Sequence, residues 1–220
     1  MIWNEFKKLK FLKTLYIKII WKKTMIDEKK RTEAGLYPEM LHQIISDFDE
    51  DKTEYTMFIE SGTNSGETPE KLYNEFETLH TIELDQKYYE KFDKIIEEKN
   101  YEKIINHFGD TIDILPLILQ KCIESKDKSV FWLDGHWSGG DTALGIESCP
   151  LFKECVSIDN FYQPDSAIIV IDDYRLFGGG WIGWDDISVE NIVSCFKNHE
   201  VKYKTYIGYD CMSILITKKG

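Results

Sequence analysis

The stretch that decides the fold is Tyr203-Lys204-Thr205-Tyr206-Ile207-Gly208-Tyr209-Asp210-Cys211-Met212-Ser213-Ile214-Leu215-Ile216-Thr217-Lys218, near the carboxyl end of the chain. It reads as two strands, Tyr203–Tyr209 and Met212–Lys218, with only Asp210 and Cys211 between them. A parallel pair needs a crossover of about a dozen residues, so these two strands form an antiparallel hairpin. Upstream, from about residue 55, short apolar runs alternate with longer amphipathic stretches, the pattern of βα units around a parallel sheet. Strands fall near Thr56–Ser61, His80–Leu84, Ile104–Phe108, Val130–Leu133 and Ala167–Ile171. Helices follow near Glu67–Glu77, Gln86–Lys99, Thr111–Glu124, Leu144–Ile158 and Ile187–Asn198. The expected architecture is α/β: a doubly wound, seven-stranded sheet, mostly parallel, ending in an antiparallel strand hairpin.

Composition agrees with one globular domain. The 220 residues carry 27 Lys+Arg against 39 Asp+Glu, a formal net charge of -12, with 42% hydrophobic residues, which excludes collagen-like and disordered chains. A surface this acidic repels phosphate, so a nucleic-acid partner is not expected and small molecules are the better starting class. The five cysteines, Cys122, Cys149, Cys155, Cys195 and Cys211, show no C-x-x-C spacing. They read as buried thiols of a cytoplasmic protein, with neither a disulfide framework nor a zinc site. No run approaches the roughly 18 apolar residues of a membrane span.

Charge is uneven along the chain. Within residues 1–24, seven lysines stand against Glu5 alone. Ile2, Phe6, Leu9, Leu12, Tyr16, Ile19 and Ile20 recur there at steps of three and four, the spacing of one helical face. Residues 1–40 are thus expected to form a basic amphipathic arm and 41–220 the domain. Two readings of the arm stand side by side: a helix packed on the domain or on a second copy in a homo-oligomer, and a helix lying on the anionic inner face of a membrane.

In a doubly wound sheet ligands bind outside the carboxyl ends of the strands, where strand order reverses, so those ends carry the functional reading. After the first strand comes Glu60-Ser61-Gly62-Thr63-Asn64-Ser65-Gly66. Glycine serves there where backbone must turn tightly and touch a ligand, and the offsets do not match G-x-G-x-x-G; the bland alternative is a plain turn. After the second strand, Thr81-Ile82-Glu83-Leu84-Asp85 places a carboxylate 21 positions beyond Gly62. Such a group can accept both hydroxyls of a ribose, and Asp85 suits the cap of the next helix. After the third strand, Gly109-Asp110-Thr111 offers a ligand contact, a helix cap, or both. After the fourth and fifth come Trp132-Leu133-Asp134-Gly135-His136-Trp137 and Ile171-Asp172-Asp173-Tyr174. Carboxylates gathered at adjacent strand ends repel one another unless a cation or protons compensate, and all-oxygen ligands favour a hard ion such as Mg²⁺.

These motifs, taken in order over roughly residues 55–218, resemble the class I, Rossmann-like S-adenosylmethionine (SAM) methyltransferases. Glu60-x-Gly62-x-Asn64-x-Gly66 resembles their D/E-x-G-x-G-x-G motif, with Asn64 at the middle glycine, and five βα units closed by an antiparallel hairpin describe their sheet. The last two motifs resemble the divalent-metal-dependent O-methyltransferases, of the macrocin (sugar) type and more distantly the catechol type. By that resemblance SAM is held by Glu60, Ser61, Gly62, Thr63, Asn64, Gly66, Glu83, Leu84, Asp110, Thr111 and Asp134, and Mg²⁺ by Asp134, Asp172 and Asp173. Catalysis falls to Asp134 and His136. His136 stands where the macrocin-type pattern has an aspartate, and it reads as general base, metal ligand or structural histidine. Trp137, Tyr174, Arg175 and Trp181 are expected to shape the acceptor pocket, and Trp181 and Trp184 alternatively close the core. Asp185 and Asp186 suit a helix cap. The implied activity is methylation of a sugar hydroxyl, on a surface polysaccharide or a nucleotide-linked sugar. The rivals are methylation of a small phosphorylated or phenolic metabolite or an amine, a glycosyl transferase using Asp172 and Asp173, and a non-catalytic nucleoside-binding module.

Overall fold

The computed structural model describes residues 35–121, 127–140, 142–179 and 181–220. The arm read over residues 1–24 and the end of the helix read as far as Glu124 lie outside them. Residues from Ala34 onward make one compact unit. Its elements run α1 Pro38–Asp47, β1 Tyr55–Ser61, α2 Glu67–Leu72, β2 Thr78–Glu83, α3 Gln86–Lys99, β3 Ile104–Phe108, α4 Thr111–Lys121, β4 Lys128–Leu133, α5 Leu151–Phe161, β5 Ser166–Ile171, α6 Val189–Val193, β6 His199–Tyr206 and β7 Cys211–Lys218.

The sheet has seven strands in the order β3-β2-β1-β4-β5-β7-β6. Strands β1 to β5 pair in parallel. β7 inserts antiparallel beside β5, with Ile171 opposite Met212, and β6 pairs antiparallel outside it. Chain order reverses between β1 and β4, and that reversal opens the crevice at their carboxyl ends.

The central strands are buried on both faces, which is why Ser166-Ala167-Ile168-Ile169-Val170-Ile171 is a near-continuous apolar run. Alternation along the strands divides the core in two. Met57, Ile59, Phe131, Leu133, Ile169 and Ile171 face α4 and α5 through Leu115, Ile118, Leu151 and Ile158. Phe58, Val130, Trp132, Ile168 and Val170 face the other way, onto Met40, Leu41, Ile44 and Ile45 of α1 and Phe92 of α3. Helix α1 lies where the sequence reading joins arm to domain. Pro38 opens it with no donor to lose, and its four apolar side chains, each worth about 1.5–3 kcal/mol of burial, cover the sheet.

Several boundaries differ from expectation for physical reasons. Helix α2 stops at Leu72 instead of Glu77, because Phe76 turns inward to pack on Phe58 at 5.4 Å. Helix α5 begins at Leu151 rather than Leu144. Pro150 fits the residue before a helix, and Leu144 and Ile146 are exposed in the loop ahead of it. Helix α6 is capped by Ser188, whose hydroxyl accepts from the Asn191 amide, so neither Asp185 nor Asp186 is its cap. Strand β6 starts at His199, four residues early, and the hairpin turns through 207–210 with Asp210 at φ 55°. Its start is pinned by Asp159 of α5, which accepts from the Lys197 and Asn198 amides and meets the buried His199 at Nδ1, 2.9 Å away.

Candidate active site

The cleft at the switch point is open to solvent and is lined by residues from the ends of β1, β2, β3 and β4. One wall is the β1 turn. Gly62 has φ +82°, and a Cβ there would lie 2.4 Å from the Asp134 carbonyl oxygen, so only glycine lets the ends of β1 and β4 come this close. Gly66 at φ +83° sits on the Phe92 ring, where a Cβ would lie 2.0 Å from Cδ2. Asn64 adopts φ 50°, a conformation asparagine tolerates better than most residues. Its amide donates to Glu83 Oε2 at 2.7 Å, and the Asp85 amide donates to Oε1 at 2.7 Å. Glu83 is therefore fixed at the end of β2, on the cleft wall. Burial pushes its carboxyl up, and the amides of Asp85, Asn64 and Leu84 offset part of the rise. Asp85 caps α3, as its position suggested, by accepting from Lys87.

Asp110 has two partners. One oxygen accepts from Ile112 at 2.9 Å, capping α4, and the other accepts from the Ile146 amide at 3.0 Å. It thereby tethers the loop between β4 and α5 to the rim. Gly145 makes the tether sterically feasible, since a Cβ there would lie 2.5 Å from Asp110 Oδ2. A second tie, Trp137 N to Ser148 O at 2.8 Å, closes the base of the same loop.

The opposite wall carries His136. Its Nε2 lies 2.9 Å from Asp173 Oδ2 and its Nδ1 3.4 Å from Asp134 Oδ1. Trp184, 2% exposed, packs edge-on against the imidazole at 5.1 Å and fixes its plane. Asp173, in the left-handed region at φ 56°, is also gripped by Arg175, whose guanidinium bridges it to Asp210 in the β6–β7 turn. Burial raises the Asp173 carboxyl, but His136 and Arg175 together outweigh it and hold the group below its ordinary range. Asp134 has no such cation pair. Burial, then Asp172, Asp173, Glu60 and Glu154, push it well above the usual carboxylate range. Burial and Asp173 push Asp172 up to about 7.

Asp134, His136 and Asp173 each offer a ligand atom within 4.8 Å of the others. Asp172 is not in that group, though its charge acts on Asp134 and that of Asp173 acts on it. This group among the described residues offers two carboxylates and one imidazole. Such a mixed set could hold a divalent ion, with less bias toward Mg²⁺ than an all-oxygen set.

Of the residues expected around the cofactor, Gly62, Asn64, Glu83, Leu84, Asp110, Thr111 and Asp134 line the cleft. Glu60, Ser61 and Thr63 are buried beneath it, and Gly66 supports the turn from behind. Of the acceptor set, Trp137 lines the cleft, and Trp181, 42% exposed, donates from Nε1 to the Trp137 carbonyl at 2.9 Å. Tyr174 packs on Phe177 at 4.9 Å, and Arg175 is committed to its two aspartates. Trp181 and Trp184 divide the two roles between them: Trp184 closes the core and Trp181 stands at the surface.

Sequence reasoning missed Tyr88 and Glu147 on the cleft walls, Asp210 behind Arg175, and Glu154. Glu154 is 2% exposed under Gly135, with Oε1 lacking a hydrogen-bond partner and burial lifting its pKa to about 7. An acid inside the apolar stretch Leu151–Ile158 was its one visible signal.

The chain has no match among protein-family models or curated sequences. Among solved structures it is similar to the O-methyltransferase TomG from Streptomyces achromogenes, in complex with SAM, at 15% identity and TM-score 0.52, over 88% of this chain and 96% of that one. The fold is that of the SAM-dependent methyltransferases. A SAM-dependent methyltransferase from Clostridium acetobutylicum is similar over 100% of both chains, at 12% identity and TM-score 0.51. A protein assigned as an rRNA methylase from Clostridium thermocellum is similar over 81% of this chain and 97% of that one, at 14% identity and TM-score 0.55. At these identities the likeness extends to the fold. Among the described residues no helix is long and apolar enough to cross a membrane.

Proposed function

We propose that this protein is a SAM-dependent O-methyltransferase acting on a sugar hydroxyl. The observation that carries the reading is one cleft with two chemically distinct walls. The Gly62 turn, Asn64 and Glu83 form a cradle on one, and Asp134 and His136, the latter held by Asp173, stand on the other. SAM suits the cradle: the Glu83 carboxylate is an acceptor of the kind ribose hydroxyls pair with, and a sulfonium cation is favoured among these carboxylates.

SAM, when bound, supplies an electrophilic methyl group and leaves as S-adenosylhomocysteine. The chain's own work is orientation and proton removal. With Nε2–H donating to Asp173, the basic nitrogen of His136 is Nδ1, on the side of Asp134 and the cleft. An acceptor hydroxyl beside Nδ1 gives its proton to the imidazole as its oxygen takes the methyl group, and Asp173 stabilises the imidazolium that results. Asp134, with its carboxyl raised, holds the acceptor hydroxyl in line.

A divalent ion on Asp134, His136 and Asp173 is the second form of this reading, favoured by their closeness. It would hold the acceptor oxygen and acidify it. Trp137 and the exposed face of Trp181 suit the flat side of a sugar ring. The test is methyl transfer from labelled SAM to a glycan panel with and without chelator. Transfer insensitive to excess EDTA assigns the proton to His136 alone. Transfer abolished by EDTA and restored by a divalent ion assigns the group to the metal.

A further inference from the structure

We infer that Asp210, in the β6–β7 turn, is a positioning residue for His136: it restrains Arg175 and so keeps one oxygen of Asp173 free for the imidazole. The inference rests on the reading of His136 as the base of methyl transfer and deepens it. Asp210 grips the turn Tyr174–Leu176 after β5 in three ways. Its carbonyl accepts from the Tyr174 amide at 2.9 Å, its Oδ1 accepts from the Arg175 amide at 2.9 Å, and its Oδ2 accepts from Arg175 Nη1. The same Nη1 donates to Asp173 Oδ1. That nitrogen carries two hydrogens, so each carboxylate takes one. Asp173 Oδ2 is left to His136 Nε2 at 2.9 Å.

A guanidinium facing a single carboxylate tends to take both of its oxygens as a fork. Such a pair between Arg175 and Asp173 would draw Oδ2 away from the imidazole and cancel the charge that stabilises an imidazolium. Asp210 opposes it from the far side, by occupying the second hydrogen of Nη1 and by fixing the backbone from which the Arg175 side chain starts. Two carboxylates against one guanidinium also leave a negative charge over for His136. Burial works against the Arg175 charge, and Asp210 with Asp173 outweighs it. Asp210 lies in the left-handed region at φ 55°, a conformation that asparagine adopts as well. Charge and turn shape can therefore be separated by substitution.

The test uses the full chain with the ring nitrogens of its five histidines isotope-labelled, in EDTA so that no ion competes for the imidazole. The His136 signal is assigned by its loss in His136→Ala, and exchange of its Nε2–H with water is measured by NMR. In the wild type this proton is expected to be held by Asp173 and slow to exchange. Asp210→Asn keeps the turn and an oxygen for the Arg175 amide but loses the charge on the guanidinium. It should match wild type in urea denaturation, exchange the His136 Nε2–H faster by about 10-fold or more, and keep SAM affinity within about twofold. Asp210→Glu keeps the charge without the preference for the turn, so it should be less stable than Asp210→Asn yet exchange this proton more slowly. A residue that only shapes the turn gives the reverse order. Wild-type His136 that exchanges as fast as free imidazole overturns the inference, and so does Asp210→Asn with exchange unchanged. Asp210→Asn that does not fold also overturns it, since the residue is then structural, as does folded Asp210→Glu exchanging no more slowly than Asp210→Asn. Should Asp210→Glu not fold, Asp210→Asn against wild type decides. If SAM does not bind, the methyltransferase reading fails by itself, and proton exchange still decides whether Asp210 holds the dyad.

Discussion

Asp173 and His136 form a fixed dyad: the carboxylate Oδ2 lies 2.9 Å from Nε2, and the other oxygen of Asp173 is held by Arg175. The aspartate is thereby anchored from behind, and the imidazole is presented with a defined nitrogen toward the cleft. A histidine oriented by a carboxylate is a better-placed base than a free one.

His136→Ala should lower turnover by roughly 10²–10⁴ while leaving SAM affinity within about twofold, since the cradle lies on other strand ends. Asp173→Asn, which keeps the shape and loses the charge, should also lower turnover and leave SAM binding in place. Single-turnover kinetics beside SAM calorimetry separate the two effects. An Asp173→Asn protein with full turnover would remove the dyad from the mechanism.

Glu83→Ala should weaken SAM binding by about 1.5–3 kcal/mol, the range for a hydrogen bond to a charged group. It also releases the amides of Asn64 and Asp85, so the turn after β1 should loosen. Calorimetry gives the first effect and amide hydrogen exchange at 62–66 the second. Unchanged affinity would take Glu83 out of the site.

Gly62→Ala and Gly66→Ala should each destabilise the fold by about 1–3 kcal/mol, since both need positive φ and both would drive a Cβ into backbone or a ring. Gly145→Ala should be milder in denaturation. It collides with the Asp110 carboxylate that tethers the rim loop, so it should appear as faster proteolysis between residues 138 and 149.

Most of the fold and about half of the site were legible in the sequence. Doubly buried strands such as Val130–Leu133 and Ala167–Ile171 leave apolar runs that few other structures explain, and glycines at 62 and 66 mark a turn whatever surrounds it. What escaped depends on tertiary packing. Phe76 ends α2 by turning inward, Ser188 caps α6 ahead of two nearby aspartates, and Asp210 reaches Arg175 only because the hairpin folds back on the end of β5. That Asp173 meets His136 was likewise hidden in the sequence, because the contact joins the end of β5 to the turn after β4.

Glu154 gives a pH test. Its carboxyl titrates near 7 in the folded protein and about 4.5 unfolded, so the unfolded chain binds fewer protons between those values and stability falls as pH rises through that window. Glu154→Gln removes the burden. It should match wild type near pH 5 and exceed it by about 1–3 kcal/mol at pH 8, read from urea denaturation at the two pH values. Equal pH dependence in both proteins would mean that the buried carboxyl is compensated.

The central claim is that the switch-point cleft holds SAM. Titration calorimetry of the full chain with SAM and S-adenosylhomocysteine, repeated on Glu83→Ala, measures this directly. The account predicts one site per chain, binding of both compounds and a loss of affinity of about 10-fold or more in the variant. Absence of binding in a folded wild-type protein, or equal affinity in wild type and Glu83→Ala, would contradict it.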